Sequence, residues 1–522
     1  MHGQIYPCEG PGSTIPYGPG YDDWAHKICS MSGGKPGESF VLGDDYLRDF
    51  LGIEPNWLWS VNIVMLIVWF LFFTGINMLL IEKYKLGSGG SLTKLYLPGK
   101  APKPRTAEEE RLRLERQQQV TEKMDHVSAG TTFSWQHINY TVPVKGGSYQ
   151  ILNDVSGIVK PGHLTALMGS SGAGKTTLLD VLARRKTIGK VEGRTYLNNE
   201  LLLNDFERIT GYVEQMDVHQ PADTIREAMQ FSAYLRQDTS VPKSEKDQYV
   251  EQIIQLLEME DIADAQVGDL ELGYGSSVEE RKRLTIAMEL VAKPKLIFLD
   301  EPTSGLDAQS SYNIVRFLRK LSDAGWPVVC TIHQPSAILF EYFDHLHLLV
   351  HGGRTAYYGE IGQDAKIMID YFESHGGPKY AQDTNPAEYI LDVVASTGNN
   401  SGGAVNKNWA DVWANSYNAK ALEDELEQIH GSVDESPSRK AFTYATPFWT
   451  QLYLVFKRMC LVYWRSSEYN LGRFTTITSI SLFLGFTFWK LSLSFIDIQN
   501  RILLLFGSMP LAYMMVRISF CQ

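Results

Sequence analysis

The stretch Gly169-Ser170-Ser171-Gly172-Ala173-Gly174-Lys175-Thr176-Thr177 constrains this chain more than any other, because it fits the phosphate-binding pattern G-x-x-x-x-G-K-[ST] at every fixed position. Its glycines let successive backbone N–H groups curl around phosphate oxygens without interference from a Cβ. Lys175 brings a point charge to the terminal phosphates, and the Thr176 hydroxyl is placed to ligate Mg²⁺. ATP and Mg²⁺ are therefore the expected ligands. The apolar run 164–168 is predicted to be a buried strand entering the loop, and 176–185 a helix whose positive N-terminal end faces the phosphates.

From about Thr132 onward, short β-branched runs alternate with helical stretches, the pattern of an α/β P-loop domain built on a largely parallel sheet. Leu296-Ile297-Phe298-Leu299-Asp300-Glu301 reads as a buried strand ending in two carboxylates, and such strands present chemistry at their C-terminal ends. Asp300 is expected in the Mg²⁺ shell, while Glu301, one residue on, faces the γ-phosphate and polarises an attacking water. A third strand, 328–332, ends at His333, a candidate γ-phosphate sensor. Gln215, in the segment 211–217, is a candidate to reach Mg²⁺ or the lytic water. Phe133, Trp135 and Tyr140 lie upstream of the loop; each reads first as a core or edge-strand aromatic, and Tyr140 is the candidate among them to stack on adenine.

Composition narrows the setting. With 44% hydrophobic and 21% charged residues among 522, the chain is a folded protein long enough for several domains. A net charge of -12 argues against a nucleic-acid partner, and five cysteines without a C-x-x-C give neither a disulfide scaffold nor a zinc site. Residues 1–56 contain no apolar signal segment and read as an extracellular loop, in which Cys8 and Cys29 are either a disulfide or two free thiols. Residues 57–81 carry no charge and suffice to span a bilayer as a transmembrane helix. Lys83, Lys85, Lys94, Lys100, Lys103 and Arg105 then place the downstream side in the cytoplasm. Residues 82–131 read as a cytoplasmic linker, with 107–124 a solvated tether, and 396–447 as a second linker. An amphipathic helix on the membrane surface is expected over 448–466, and 467–522 reads as the start of a further transmembrane domain, with uncharged runs at 474–489 and 502–516.

The order of motifs is more specific. Phosphate loop, glutamine segment, the segment before Arg281-Lys282-Arg283-Leu284-Thr285-Ile286, the run LDEPTSGLD over 299–307 and His333 together resemble ATP-binding cassette (ABC) proteins. ERKRLTIAMEL, DEPTSGLDAQSS, CTIHQPSAILFEYFD and NPAEYILDVV resemble the G subfamily of ABC transporters, and within it the pleiotropic drug resistance type, across nearly the whole chain. The resemblance implies an ABC nucleotide-binding domain over 132–395 with a helical subdomain at about 224–292, a D-loop at Leu306 and Asp307, and flanking transmembrane helices. It also implies a second cassette as partner, two ATP molecules being shared between one phosphate loop and the opposite signature. Where that signature reads L-S-G-G-E/Q, this chain has Ser276-Ser277-Val278-Glu279-Glu280. Val278 adds bulk and Glu279 adds negative charge beside an anionic ligand, so this cassette is expected to be a poor signature donor, while its own Glu301 and His333 match the family.

By the same resemblance the complete protein is an integral membrane ATPase, in the plasma membrane with its cassette in the cytoplasm, exporting amphipathic compounds or lipids, with membrane lipid as a further partner. The chain reads as a fragment running from the end of a first membrane domain to the start of a second, expected to bind ATP without transporting alone. The alternatives are a non-transporting ABC ATPase and a regulatory remnant that binds nucleotide and pairs with a full transporter.

Overall fold

The computed structural model describes residues 3–51 with short gaps, part of 64–79, part of 93–115, 130–395 except 199, 203–204 and 271–272, and then 407–430, 444–487 and 502. By their contacts they form two units, Gly89–Arg465 and Met1–Ser88 with Ser466–Gln522.

In the larger unit, short and mainly apolar runs become strands largely covered on both faces. Six strands form one sheet in the order Thr210–Val213, Leu296–Leu299, Val328–Thr331, Leu164–Gly169, His345–Val350, Arg354–Glu360; the first five are parallel and the last is antiparallel. The two-residue period of a strand divides their side chains between two cores. Ala166, Met168, Ile297, Leu299, Val328 and Cys330 enter a core shared with the helices Ile225–Arg236, Lys243–Leu256, Val278–Leu290 and Ala308–Asp323. Leu167, Phe298 and Val329 enter the other, against Phe133, Trp135 and Leu152 of a four-stranded antiparallel sheet and Leu178 and Leu182 of the helix Lys175–Leu182. The antiparallel sheet comes close enough that an added Cβ on Gly157 would lie 2.4 Å from Trp135 Cζ2.

Two stretches differ from their reading as free connectors. Gln266 N–H donates to the Leu95 carbonyl at 2.8 Å, Gly275 N–H donates to the Thr93 carbonyl at 3.0 Å, and Lys94 pairs with Glu280 at 2.6 Å. Arg113, within the expected tether, grips Glu260 through two nitrogens at 3.2 and 2.9 Å. Later, the helices Trp409–Ala414 and Tyr417–His430 bury Trp409, Trp413, Leu422 and Leu426 in the main core. The spacing of Leu422 and Leu426 puts them on one helical face, with the charged residues outside.

The smaller unit pairs Ile5–Pro7 with Phe40–Leu42 and Thr14–Ile15 with Ile28–Cys29, all antiparallel. Cys8 and Cys29 are joined as a disulfide, their Cα atoms 5.9 Å apart, and pack with Val41, Trp24 and Tyr46. Of the expected span 57–81, part of 64–79 is described and is helical, with Val64, Trp69 and Phe70 exposed; 57–63 and 80–81 lie outside the described residues, as do 488–501 and 503–522. Among the described residues no helix is long and apolar enough to cross a membrane.

Candidate functional site

The strand Leu164–Gly169 is fully buried and delivers the phosphate loop to the sheet's C-terminal edge. Gly169 has φ +151, and a Cβ there would meet the Leu349 carbonyl oxygen at 2.3 Å, so the chain can turn out of the strand only without a side chain. Gly174 has φ +96 at the N-cap of the helix Lys175–Leu182, a left-handed conformation that starts the helix directly after the loop. The helix's N-terminal end therefore opens where Ser171, Gly172 and Thr176 are exposed, while Ala173 and Lys175 are buried, and Ser170 and Thr177 are half-buried. Lys175 folds back to donate to the carbonyls of Gly169 at 2.9 Å and Ser170 at 3.1 Å. Burial lowers its pKa, and the charges of Glu301 and Asp300 oppose that.

Neighbouring strand ends complete a hydrogen-bonded cluster. Thr176 donates to Asp300 at 3.2 Å, and Thr331, fully buried, donates to the same oxygen at 2.8 Å. The Thr331 hydroxyl also accepts from Glu301 N–H at 2.7 Å, so one side chain sets both carboxylate-bearing residues. Glu301 has φ +44, which turns its side chain out of the strand direction, and it accepts from Gln215 Nε2 at 2.7 Å. Gln215, Glu301, Asp300 and Thr176 are thus brought together, whereas His333 lies exposed past Thr331 and outside this cluster. Thr331 was not singled out in the sequence; its only signal there is one hydroxyl in the otherwise apolar run 328–332.

Tyr140 requires correction as an adenine-stacking residue. It is 3% exposed, its hydroxyl donates to the Ile188 carbonyl, and it offers no open ring face. Alternation along the strand Phe133–Val144 turns Tyr140 inward with Ile138.

The signature-like segment sits at the start of the helix Val278–Leu290. Ser276 is buried, and Ser277 caps the helix in a reciprocal box with Glu280, at 3.3 and 2.9 Å. Val278 is exposed, but Glu279 is held inside the chain. It accepts from Ser310 at 2.9 Å and Asn313 at 3.1 Å and pairs with Arg283. Leu306 packs against the main core, and Asp307 is exposed at the N-cap of Ala308–Asp323.

Sheet order, glycine-shaped loop and paired carboxylates define a P-loop nucleotide-binding cassette. The ABC transporter family matches residues 152–304, the CDR ABC transporter family 15–105, and two ABC-2 type transporter families 333–442 and 450–521. The chain is 47% identical over 512 residues to ABC transporter G family member 21 of Dictyostelium discoideum, covering 97% of this chain and 35% of that one. It is 42% identical over 528 residues to the Brefeldin A resistance protein of Schizosaccharomyces pombe, covering 95% and 34% respectively. The chain belongs to the ABC transporters, and these matches are of their G family and drug-resistance type. It spans about a third (33–36%) of the length of the curated relatives it matches. Among solved structures, an ATP-binding subunit of an ABC transporter covers 50% of this chain and 98% of its own at 18% identity, with a TM-score of 0.39. A nucleotide-free ATP-binding cassette from an ABC transporter covers 46% and 94% at 22% identity, with a TM-score of 0.38.

Proposed function

We propose that this chain carries the ATP-hydrolysing cassette of a transporter that exports amphipathic compounds or lipids. The observation that carries the reading is the Gln215–Glu301 contact at 2.7 Å beside the Thr176–Asp300 contact at 3.2 Å, at the mouth of the phosphate loop. One carboxylate and one hydroxyl suit Mg²⁺, which takes few protein oxygens and keeps its other positions for water and phosphate. When bound, the ion neutralises charge on the phosphates. Lys175 and the loop's N–H groups hold the phosphate oxygens, and Gln215 orients the water. The water oxygen bonds to the γ-phosphorus while Glu301 takes its proton. The bond from that phosphorus to the bridging oxygen breaks, ADP leaves with the electron pair, and the proton passes to phosphate. His333 reports the γ-phosphate from the neighbouring strand end.

A second cassette completes the site by presenting its own signature to this phosphate loop. Two features support that asymmetry: glycines are missing from 276–280, and the Glu279 carboxylate is tied to Ser310 and Asn313. The cassette lies on the cytoplasmic side of the plasma membrane, with 57–81 and 467–522 in the bilayer. The helix Phe448–Arg465 supports this placement, since its Trp449 and Trp464 are 76% and 82% exposed, as suits a helix lying in the lipid interface. The Cys8–Cys29 disulfide suits the oxidising outer side.

Mg-ATP binding by the full chain tests the reading. Lys175→Ala is expected to weaken it by about thirtyfold or more, and chelation of Mg²⁺ to weaken the parent. Equal binding by parent and Lys175→Ala would contradict the assignment.

A further inference from the structure

Gln215 belongs to a loop that its own packing does not hold, for Met216 and Val218 are 76% and 81% exposed. The grip comes from a neighbouring helix. Lys282, on Val278–Leu290, is 1% exposed, and its ammonium donates to the Gln215 carbonyl at 2.8 Å and the Glu214 carbonyl at 3.4 Å, and pairs with Asp217 at 3.0 Å. Three acceptors around one point suit the three rotatable donors of an ammonium, not the planar fork of a guanidinium. Thr285, three residues along the same helix face, donates to Asp217 at 2.6 Å and reinforces the hold.

We propose that Lys282 is a positioning residue for ATP hydrolysis: it anchors the loop at 214–217 so that the Gln215 amide meets Glu301. The same helix begins at the signature-like segment, where Glu279 holds Ser310 and Asn313 of the helix after the D-loop. The proposal rests on the reading of Glu301 as the group that polarises water.

Amide hydrogen exchange in the full chain tests the anchor without needing turnover. Lys282→Met is expected to speed exchange across 214–219 by about tenfold or more while leaving 164–169 protected. Because the lone Asp217 carboxylate could unfold that variant, the pair Lys282→Met/Asp217→Asn removes both charges and should show the same local effect. Unchanged exchange at 214–219 in that double variant would overturn the proposal. Turnover supplies the second readout: Lys282→Met should lower kcat by about ten- to a hundredfold with Mg-ATP affinity kept within about twofold. In a Gln215→Ala background it should cost nothing further. Full additivity with Gln215→Ala, or an equal loss of affinity and kcat, would refute action through Gln215. These turnover measurements are made with a second cassette supplied; absence of turnover in the parent under that condition would count against the hydrolytic reading, and the exchange comparison would still decide whether Lys282 holds the loop.

Discussion

The Thr331 hydroxyl donates to Asp300 at 2.8 Å while accepting from Glu301 N–H at 2.7 Å. One proton and one lone pair on a core strand therefore fix the carboxylate assigned to the metal and the backbone of the carboxylate assigned to water. Thr331→Val keeps the shape and removes both bonds. It is expected to cost about 1–3 kcal/mol of stability, because the part-buried Glu301 N–H loses its acceptor and Asp300 loses the shorter of its two bonds, keeping only that from Thr176. The thermal unfolding midpoint of the full chain reads this directly, and an unchanged midpoint would mean the cluster is held elsewhere.

Arg465, ending the helix Phe448–Arg465, donates to both Glu227 oxygens, and Arg458 on the same helix donates to Asp223 at 2.7 Å. Burial raises the Glu227 carboxyl, but the hydrogen bonds from Arg465 and Thr224 outweigh it and hold the group below its ordinary range. A depressed carboxyl stabilises the fold above its unfolded value of about 4.3, and the contribution fades as pH falls through the lower folded value. Arg465→Ala should thus cost about 1–3 kcal/mol near neutrality, a penalty that shrinks below about pH 4.3. Asp223 behaves oppositely, since burial raises its carboxyl despite Arg458. The diagnostic is therefore the difference between parent and Arg465→Ala across pH; a difference independent of pH would contradict the pairing.

His347 stacks on Trp135, with ring centroids 5.9 Å apart, and burial pushes its imidazole down to about 3. Below its unfolded value of about 6.5 the unfolded chain binds a proton that the fold refuses, so stability falls with pH between these values. The slope from this one group is at most about 1.4 kcal/mol per pH unit. His347→Phe keeps the ring contact and should flatten the acid limb between pH 4.5 and 6.5 by about that amount. Unfolding curves at several pH values check it.

Gly157 faces the same tryptophan. An added methyl would sit 2.4 Å from Cζ2, so Gly157→Ala must displace a ring that is 1% exposed. Overpacking of this kind costs about 1–3 kcal/mol. Recovery of stability in Gly157→Ala/Trp135→Phe would locate the clash, and a neutral Gly157→Ala would show that the antiparallel sheet can shift.

The sheet was legible in the sequence where chemistry and periodicity coincide. The runs at 164–168, 296–299 and 328–332 are apolar but for one threonine each in the first and last, which in an α/β pattern reads as strands covered on both faces. Glycine spacing announced the phosphate loop because few other turns require it. The direction of a single aromatic was not legible: Tyr140 and its strand neighbours differ only in which face of the sheet they occupy. Nor was the grip of Lys282, since within Arg281-Lys282-Arg283 nothing distinguishes the buried cation from its neighbours. The packing of 409–430 was hidden for another reason. Its apolar residues are few and its charges many, and the two tryptophans declare their role only once the cassette surface exists to receive them.

The most direct test of the central claim is Mg-ATP turnover by the full chain beside Glu301→Gln, with nucleotide affinity measured on both and a second cassette supplied. The account predicts that Glu301→Gln binds Mg-ATP as the parent does and loses about a hundredfold or more in turnover. Turnover that survives Glu301→Gln would contradict it, placing the water-polarising group elsewhere.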